Sequence, residues 1–251
     1  MEHLIDTAWR IYRSAVQSGN NFVVQPSIPI LFFGDSERYF DSDLKIVTVA
    51  LNPSRLEFPD DDRFLRFPAA GERYDRLKEG ERHPEYVEAL NDYFRVNPYG
   101  SWFDSYEKIL EGMGASYYDD AENTALHTDL FSPLATDPTW SRLGKFRDEL
   151  IDEGLGLWHD LMLALTPDLI IISVAEKYLE HIQFTQLGDC HLAYTVERKN
   201  PFQVCAFELR LVLGDSTTMV FGRAANKPFG TVSHKDKRKI GAALRRQLDG
   251  R

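Results

Sequence analysis

The sequence predicts an α/β protein: a three-layer sandwich whose central, mainly four-stranded parallel sheet is flanked by helices, with an antiparallel hairpin inserted. Four short apolar runs, rich in β-branched residues, have the length and composition of strands buried on both faces. Segments of helical periodicity separate them, and this alternation is typical of a parallel sheet. The runs are "KIVTVAL" (45–51), "TALHTDL" (124–130), "DLIIISV" (168–174) and "TTMVFGR" (217–223). The 251 residues suffice for one large core, so we expect a single domain over residues 1–251.

The helical segments follow from apolar residues that recur every three or four positions. The first predicted helix, "MEHLIDTAWRIYRSAVQ", carries Leu4, Ala8, Ile11, Tyr12 and Ala15 on one face. The others are "HPEYVEALNDYF", "SWFDSYEKILEGMG", "SRLGKFRDELIDEGLGLWHDLMLAL", "AEKYLEHI" and "DKRKIGAALRRQL".

Two insertions interrupt this alternation. Residues 55–96 form the first, and its part at 55–83 is rich in Asp, Arg and Glu, so we expect an irregular excursion there. Residues 191–212 form the second. It lies within "CHLAYTVERKNPFQVCAFELRLVLGD" and reads as two antiparallel strands joined at Lys199-Asn200-Pro201.

Composition excludes several classes of protein. The net charge of −10 argues against general attraction to nucleic acid, although it leaves room for a local basic patch. The two cysteines form no CxxC pair, which argues against a zinc ribbon or an iron–sulfur cluster, and we expect no cofactor and no metal. No apolar run approaches the roughly 20 residues of a membrane span, and no signal-peptide block is seen. We therefore expect a cytoplasmic protein with no membrane partner.

Polar groups follow three of the four predicted strands. Asn52-Pro53-Ser54 ends the first, His127 and Asp129 lie at the end of the second, and "GRAANKPFG" (222–230) follows the fourth. Ligands of open α/β sheets bind outside the carboxyl ends of the strands, so this clustering indicates a functional site. The alternative for the first position is that Asn-Pro simply makes a good turn.

The order of these motifs resembles the uracil-DNA glycosylase superfamily. "ALNPS" is similar to its Gly-x-Asn-Pro-Gly loop, with Ala50 and Ser54 in place of the glycines. "NPYGSWFDSYEKIL" is similar to its Pro-aromatic segment, and "LHTDLFSPLATDP" to the strand that ends in a base-reading Asn, with Asp129 in that place. "GRAANKPFG" stands where a His-Pro-Ser-Pro motif is usual, without the histidine. The resemblance covers residues 45 to 248 in order.

The resemblance implies a monofunctional DNA glycosylase, which hydrolyses the N-glycosidic bond of a flipped-out base and leaves an abasic site. Such a reaction passes through an oxocarbenium-like sugar. Asn52 and Asp129 would be the catalytic residues, and Asn52 would orient the water. Tyr99 would stack on the base, a contact worth about 1–3 kcal/mol. Phe58, Phe64 and Phe67 are alternative stacking residues. The alternative for Tyr99 is that it is only a tyrosine in a surface turn.

Asp129 suggests which base is removed. A neutral Asn suits uracil, whereas a protonated carboxyl both accepts and donates, as the amino group and ring nitrogen of cytosine require. Burial at the strand end would raise the pKa of Asp129 toward that state. Because normal cytosine must be spared, the substrate would be a modified cytosine, such as glucosylated hydroxymethylcytosine of phage DNA. The alternatives are that Asp129 caps a turn or pairs with Arg142 or Lys145, and His127 is a rival polar group on the same strand face.

A basic segment follows the fourth strand and predicts DNA as the partner. Phosphate contacts are expected from Ser54, Arg223, Asn226, Lys227, Lys235 and Lys237. Gly222 and Gly230 would let the DNA backbone approach closely. The alternative is that this charge run is the solvated first turn of the last helix.

Three other functions remain open on the sequence alone. The first is uracil excision in base-excision repair, and the second is non-catalytic binding of modified DNA on the same fold. The third is a Gly-Asp-Ser-type esterase, because "PILFFGDSERYF" resembles the opening block of those enzymes with Ser36 as nucleophile. The Asp-x-x-His pair that such esterases need is missing from the sequence.

Overall fold

The computed structural model describes residues 1–80, 84–118, 121–212 and 216–250. Within these ranges eight strands form one sheet in the order β2-β3-β1-β4-β8-β7-β5, and β6 pairs with β7. The strands are β1 (Ile46–Ala50), β2 (Ala115–Ser116), β3 (Asn123–Asp129), β4 (Leu169–Ile172), β5 (Thr185–Gln186), β6 (His191–Val196), β7 (Phe202–Arg210) and β8 (Thr217–Gly222).

The centre of the sheet is parallel because apolar side chains cover both faces of its strands. β4 lies parallel to both β1 and β8, with Ile170 opposite Val47 on one side and Met219 on the other. All four residues of β4 are buried. β7 is antiparallel to both β8 and β6. The predicted α/β class is confirmed, with a mostly parallel sheet, flanking helices and an antiparallel strand pair.

All four predicted strands and the predicted hairpin are present. The hairpin extends the sheet, because its second strand pairs with β8 as well as with β6. The sequence did not predict β2 or β5, each of which is only two residues long.

The predicted helical segments are present, although "AEKYLEHI" forms a 3-10 helix, and the sequence did not predict the helices at Ser36–Asp41, Pro68–Glu72 and Tyr74–Glu79. The helices are α1 (Glu2–Gln17), α2 (Ser36–Asp41), α3 (Pro68–Glu72), α4 (Tyr74–Glu79), α5 (Pro84–Asn91), α6 (Tyr93–Val96), α7 (Gly100–Met113), α8 (Phe146–Leu165) and α9 (His234–Asp249), with 3-10 helices at Arg55–Glu57, Trp140–Arg142 and Glu176–His181. The five residues predicted on the inner face of α1 are all buried. Over the described ranges, no helix combines the length and apolar character needed to cross a membrane.

The expectation of an irregular excursion at 55–83 is wrong. That stretch holds the 3-10 helix Arg55–Glu57 followed by α3 and α4, while its residues 81–83 lie outside the described ranges. Apart from the buried Glu57, most charges of this stretch lie on its outer surface, whereas Phe58, Phe67 and Leu77 point inward and are at most 2% exposed. Local charge density therefore hid an amphipathic segment.

The chain divides into two compact units. The first comprises Met1–Ser36, Ala50–Tyr99 and His127–Ala164, and the second comprises Glu37–Val49, Gly100–Leu126 and Leu165–Arg251. Since the boundary cuts through β1 and β3, the sheet lies almost wholly in the second unit. The single domain over residues 1–251 stays a prediction.

In the second unit, helices α7 and α9 pack closely at two glycines. A Cβ added at Gly241 would lie 2.0 Å from the carbonyl oxygen of Ile109, and one added at Gly112 would lie 2.1 Å from that of Arg238. Both contacts are with backbone, which cannot rotate away as a side chain can. Glycine at these two positions sets how near the helices approach.

We expect Gly241→Ala to lower the free energy of unfolding by about 1–3 kcal/mol, because overpacking must push the helices apart. Gly156→Ala is the matched control, since Gly156 lies in α8 with nothing within 4 Å of its added Cβ. That change should leave stability unchanged or raise it by up to about 1 kcal/mol. Urea denaturation of both variants measures the difference, and equal stabilities would contradict the close packing.

Candidate active site

In the first unit, the loop after β1 runs beside the segment after β3. The amide of Leu130 donates to the carbonyl of Ala50 over 2.9 Å, and that of Phe131 to Leu51 over 3.0 Å. These two hydrogen bonds hold the loop beside the residues that directly follow Asp129, the last residue of β3. The two predicted catalytic residues, Asn52 and Asp129, therefore lie on neighbouring stretches of backbone.

The carboxamide of Asn52 has a fixed orientation. Its Nδ2 donates to the carbonyl of Pro53 and to Thr136 Oγ1, each over 2.8 Å, and to the carbonyl of Leu134 over 3.4 Å. Carbonyl oxygens only accept, so the nitrogen must face them and the oxygen must face away. Among the described residues, none donates to Asn52 Oδ1. The nitrogen thus stabilises the turn, and the oxygen keeps its acceptor capacity unused by the described residues.

Ser54 begins the short helix that carries a third polar residue into the site. Its hydroxyl accepts from the amide of Leu56 over 3.0 Å and caps the 3-10 helix Arg55–Glu57. The predicted DNA contact at Ser54 is thus a half-buried capping residue. The turn directs Glu57 inward, where it is only 4% exposed.

Glu57 is a functional candidate that sequence reasoning missed. The Tyr93 hydroxyl donates to its Oε2 over 2.5 Å, and Arg66 Nε lies 3.9 Å from the same oxygen. No described residue donates to Oε1. Burial raises the pKa of Glu57 to about 7, although the Tyr93 hydrogen bond and the Arg66 charge oppose that rise.

Asp129 is buried without a hydrogen-bond donor among the described residues. Its side chain is 3% exposed, and its ion-pair contact is His127 Nε2, 4.0 Å from Oδ1. Burial, reinforced by the negative charge of Glu57, raises the pKa of Asp129 well above its ordinary value. Burial also lowers the pKa of His127 to about 3. Burial thus favours the protonated form of Asp129 and keeps the neighbouring histidine uncharged.

The charged and polar neighbours of Asp129 match one of the expected alternatives and not another. His127 does lie on the same strand face, as alternation predicts. Within the described ranges, no ion pair joins Asp129 to Arg142 or Lys145. A carboxyl whose pKa is raised by burial and by a second carboxyl nearby is a candidate functional group.

Aromatic rings pack around Tyr93 and His127 and form a wall on that side of the site. Phe58 and Phe67 stack with their centroids 5.3 Å apart, and Phe67 lies 5.3 Å from Tyr93. Phe33 lies 4.7 Å from Tyr93 and 5.6 Å from His127. Phe58 and Phe67 are at most 1% exposed, so they form the wall and are not free to stack on a base. The low dielectric they create is what raises the pKa of both carboxyls.

Tyr99 keeps the exposure that a stacking residue needs. It is half-buried, and the Arg66 guanidinium lies 5.8 Å from the centre of its ring. Its amide donates to the Tyr93 hydroxyl over 2.9 Å, which connects it to Glu57. Of the rivals, Phe64 alone is half-buried as well.

The predicted basic residues lie in the second unit, and most of them are exposed. Arg223, Asn226, Lys227 and Lys235 are on the surface, and Lys227 Nζ donates to the carbonyl of Ser101 over 2.8 Å.

The prediction that Lys237 contacts DNA is wrong. It is 2% exposed, its Nζ donates to the carbonyl of Pro228 over 3.0 Å, and burial lowers its pKa to about 8, with the Lys227 charge acting in the same direction. It lies on the inner face of α9 with Ile240 and Leu244.

Of the two glycines expected to let DNA approach, Gly222 is buried and Gly230 is exposed. A Cβ on Gly222 would lie 2.0 Å from the Phe229 ring, and one on Gly230 would lie 2.0 Å from the carbonyl of Ala225. Gly222 thus makes room for a ring of the chain itself, and the expectation for Gly230 stays a prediction. The small size of both glycines serves packing inside the second unit.

The hydroxyl of Ser36, the nucleophile of the esterase alternative, donates to Asn91 Oδ1 over 2.9 Å at the start of α2. The apolar segment before it, residues 27–32, forms no strand among the described residues. The esterase alternative stays a prediction.

Comparisons with family models, curated proteins and solved structures find no match to this chain. In the described part of the chain, no three His, Cys, Asp or Glu side chains are grouped so as to hold a metal ion.

The raised pKa of Glu57 predicts a stability that falls as pH rises. Above pH 4.5 the unfolded carboxyl ionises while the folded one keeps its proton, so the stabilisation is full below 4.5 and is lost toward pH 7. The difference between 4.5 and about 7 corresponds to roughly 3 kcal/mol. Glu57→Gln should therefore make the unfolding free energy fall less between pH 5 and pH 8. Urea denaturation across that range measures this, and equal slopes for variant and wild type would contradict it.

Proposed function

We propose that this chain is a cytoplasmic DNA glycosylase of the uracil-DNA glycosylase type. It hydrolyses the N-glycosidic bond of a flipped-out modified cytosine, such as the glucosylated hydroxymethylcytosine of phage DNA, and leaves an abasic site. Its role would be defence against phage.

The observation that carries the proposal is the pairing of an unused amide oxygen with a protonated acid. Asn52 Oδ1 has no donor from the described chain, and Asp129 is buried without one on the adjacent segment. Cleavage of a glycosidic bond needs a positioned water, a partner for the departing base and exclusion of bulk solvent. Asn52, Asp129 and the aromatic wall supply these in turn.

The protonated state of Asp129 supports a cytosine-type base. A neutral carboxyl donates through its O–H to the ring nitrogen and accepts through its carbonyl from the amino group. Uracil has a donor where cytosine has its ring acceptor and a carbonyl where cytosine has its amino group. Binding of uracil would leave buried polar groups of the carboxyl unpaired, which would weaken it. Burial and the charge of Glu57 both raise the pKa of Asp129, which favours the protonated form that carries this donor.

DNA as the partner is supported by the exposed groups of the second unit. Arg223, Asn226, Lys227 and Lys235 are all at the surface, where they can reach phosphates. They stand out in a protein whose net charge is −10.

An excision assay tests the proposal. The protein is incubated with DNA containing glucosylated hydroxymethylcytosine, uracil or only normal bases, and abasic sites are cleaved with alkali. We expect strand breaks with the modified cytosine alone. Breaks with uracil alone would assign the protein to base-excision repair. Binding of modified DNA without breaks would make it a non-catalytic reader.

In that assay, Asn52→Ala should lower the excision rate about 100-fold or more, because the water loses the group that orients it. DNA affinity should stay close to that of the wild type.

Thr136→Val is the matched control for the turn. It removes the 2.8 Å hydrogen bond from Asn52 Nδ2 while it keeps the amide oxygen. Both variants should unfold at a lower temperature, but Thr136→Val should retain most of the activity. Equal losses of activity in the two would show that Asn52 serves the turn alone.

The exposed cations predict how binding depends on salt. Arg223→Ala with Lys235→Ala should flatten the plot of log affinity against log salt by about 0.9 for each lost phosphate contact on duplex DNA. Arg10→Ala with Lys177→Ala removes the same charge from two other exposed positions and should leave the slope unchanged. Equal slopes in both pairs would exclude contacts at 223 and 235.

A further inference from the structure

We propose that Glu57 is a second catalytic carboxyl, which accepts the proton of the water that Asn52 orients while Asp129 donates its own proton to the departing base. This inference rests on the proposed function and adds to it a residue that forms no part of the sequence motifs. The two carboxyls would then act as base and acid of one reaction.

The position of Glu57 is fixed by its own backbone. Its amide donates to the carbonyl of Ser54 over 3.1 Å, and the amide of Phe58 donates to that of Arg55 over 3.0 Å. This turn follows Asn52 directly, so the water-orienting amide and the carboxyl are carried by one rigid loop. A base held on a fixed loop needs little reorganisation during the reaction.

The two oxygens of Glu57 have different surroundings. Oε2 is held by the Tyr93 hydroxyl, with the Arg66 guanidinium behind it, whereas Oε1 has no donor among the described residues. The side chain as a whole is only 5% exposed, so few water molecules can reach Oε1. Such an oxygen is expected where a ligand, here the nucleophilic water, completes its contacts.

The surroundings of the two carboxyls differ in the way that an acid and a base require. Tyr93 and Arg66 favour the ionised form of Glu57 against burial, which leaves its pKa near the working pH of a general base. Asp129 has no comparable donor, and the charge of Glu57 further favours its protonated form. Two acids whose environments separate their pKa values are the usual pattern of an acid–base pair.

The reaction balances with these groups alone. The water oxygen bonds to C1′ of the sugar, and the bond from C1′ to the base nitrogen breaks with its electron pair left on the base. Glu57 takes one proton from the water, and Asp129 gives one proton to the ring nitrogen of the base. After the base leaves, Glu57 returns its proton to Asp129 through solvent, and both residues regain their starting states.

The test is the pH profile of single-turnover excision on DNA with glucosylated hydroxymethylcytosine. Wild type should show an acidic limb as Glu57 ionises. Glu57→Gln should excise about 100-fold more slowly or worse and lose that limb. Added formate should restore part of the rate of Glu57→Ala, since a small carboxylate can enter the space that the truncated side chain leaves.

Tyr93→Phe gives a readout that a structural role would not move. Loss of the hydroxyl removes a hydrogen bond that favours ionised Glu57, so the acidic limb should move to higher pH. Glu107→Gln is the matched control, because Glu107 is also buried with a raised pKa but is bound by Ser116 in the second unit. It should leave both the rate and the limb unchanged.

Each outcome decides the matter. A wild-type rate and profile in Glu57→Gln would overturn the role of Glu57 and leave the glycosylase proposal standing. Failure of wild type to release a base from any DNA would overturn the proposed function itself. If Glu57→Gln does not fold, the position of the acidic limb in Tyr93→Phe decides, and an unmoved limb overturns the inference.

Discussion

Where a parallel strand ends, its last amides and carbonyls lose their ladder partners and must find others. In the second unit the hydroxyl of Tyr106 solves this for two strands, since it donates to the carbonyl of Val49 over 2.6 Å and accepts from the amide of Ser173 over 2.9 Å. The Ser173 hydroxyl then accepts from the amide of Phe229 over 2.9 Å. In the first unit the side chain of Asn52 does comparable work. Polar side chains at these strand ends thus form hydrogen bonds with the backbone. Only the atoms that such bonds do not use can bind a ligand.

The sequence predicts the sheet well because its central strands are buried on both faces. Such strands are continuous apolar runs, so a few consecutive residues suffice to predict them. The run "LIII" of β4, with three β-branched residues, predicts a buried strand by itself. Asp129 and His127 were predicted for a related reason. They alternate at the end of a strand, so they had to share a face, and an apolar strand had to bury that face.

Glu57 escaped prediction because its environment is not local. Its neighbours in "RLEFPDDDR" suggest a solvated loop, whereas its burial comes from Tyr93, which lies 36 positions further along the chain. Lys237 was misread for the opposite reason, since its charged neighbours dominated the interpretation. A signal was available there: Ile240, Gly241 and Leu244 follow it at helical spacing, and this places Lys237 on the apolar face of α9.

Burial of the carboxyls of Glu57 and Asp129 lowers the stability of the fold whenever either group is ionised. An amide or apolar side chain of similar volume at either position would escape the desolvation that both acids suffer, and the fold would gain from the exchange. A random library selected only for resistance to heat should therefore accumulate replacements at these two positions. The map of enriched positions would show which buried groups the fold carries at a cost to its own stability.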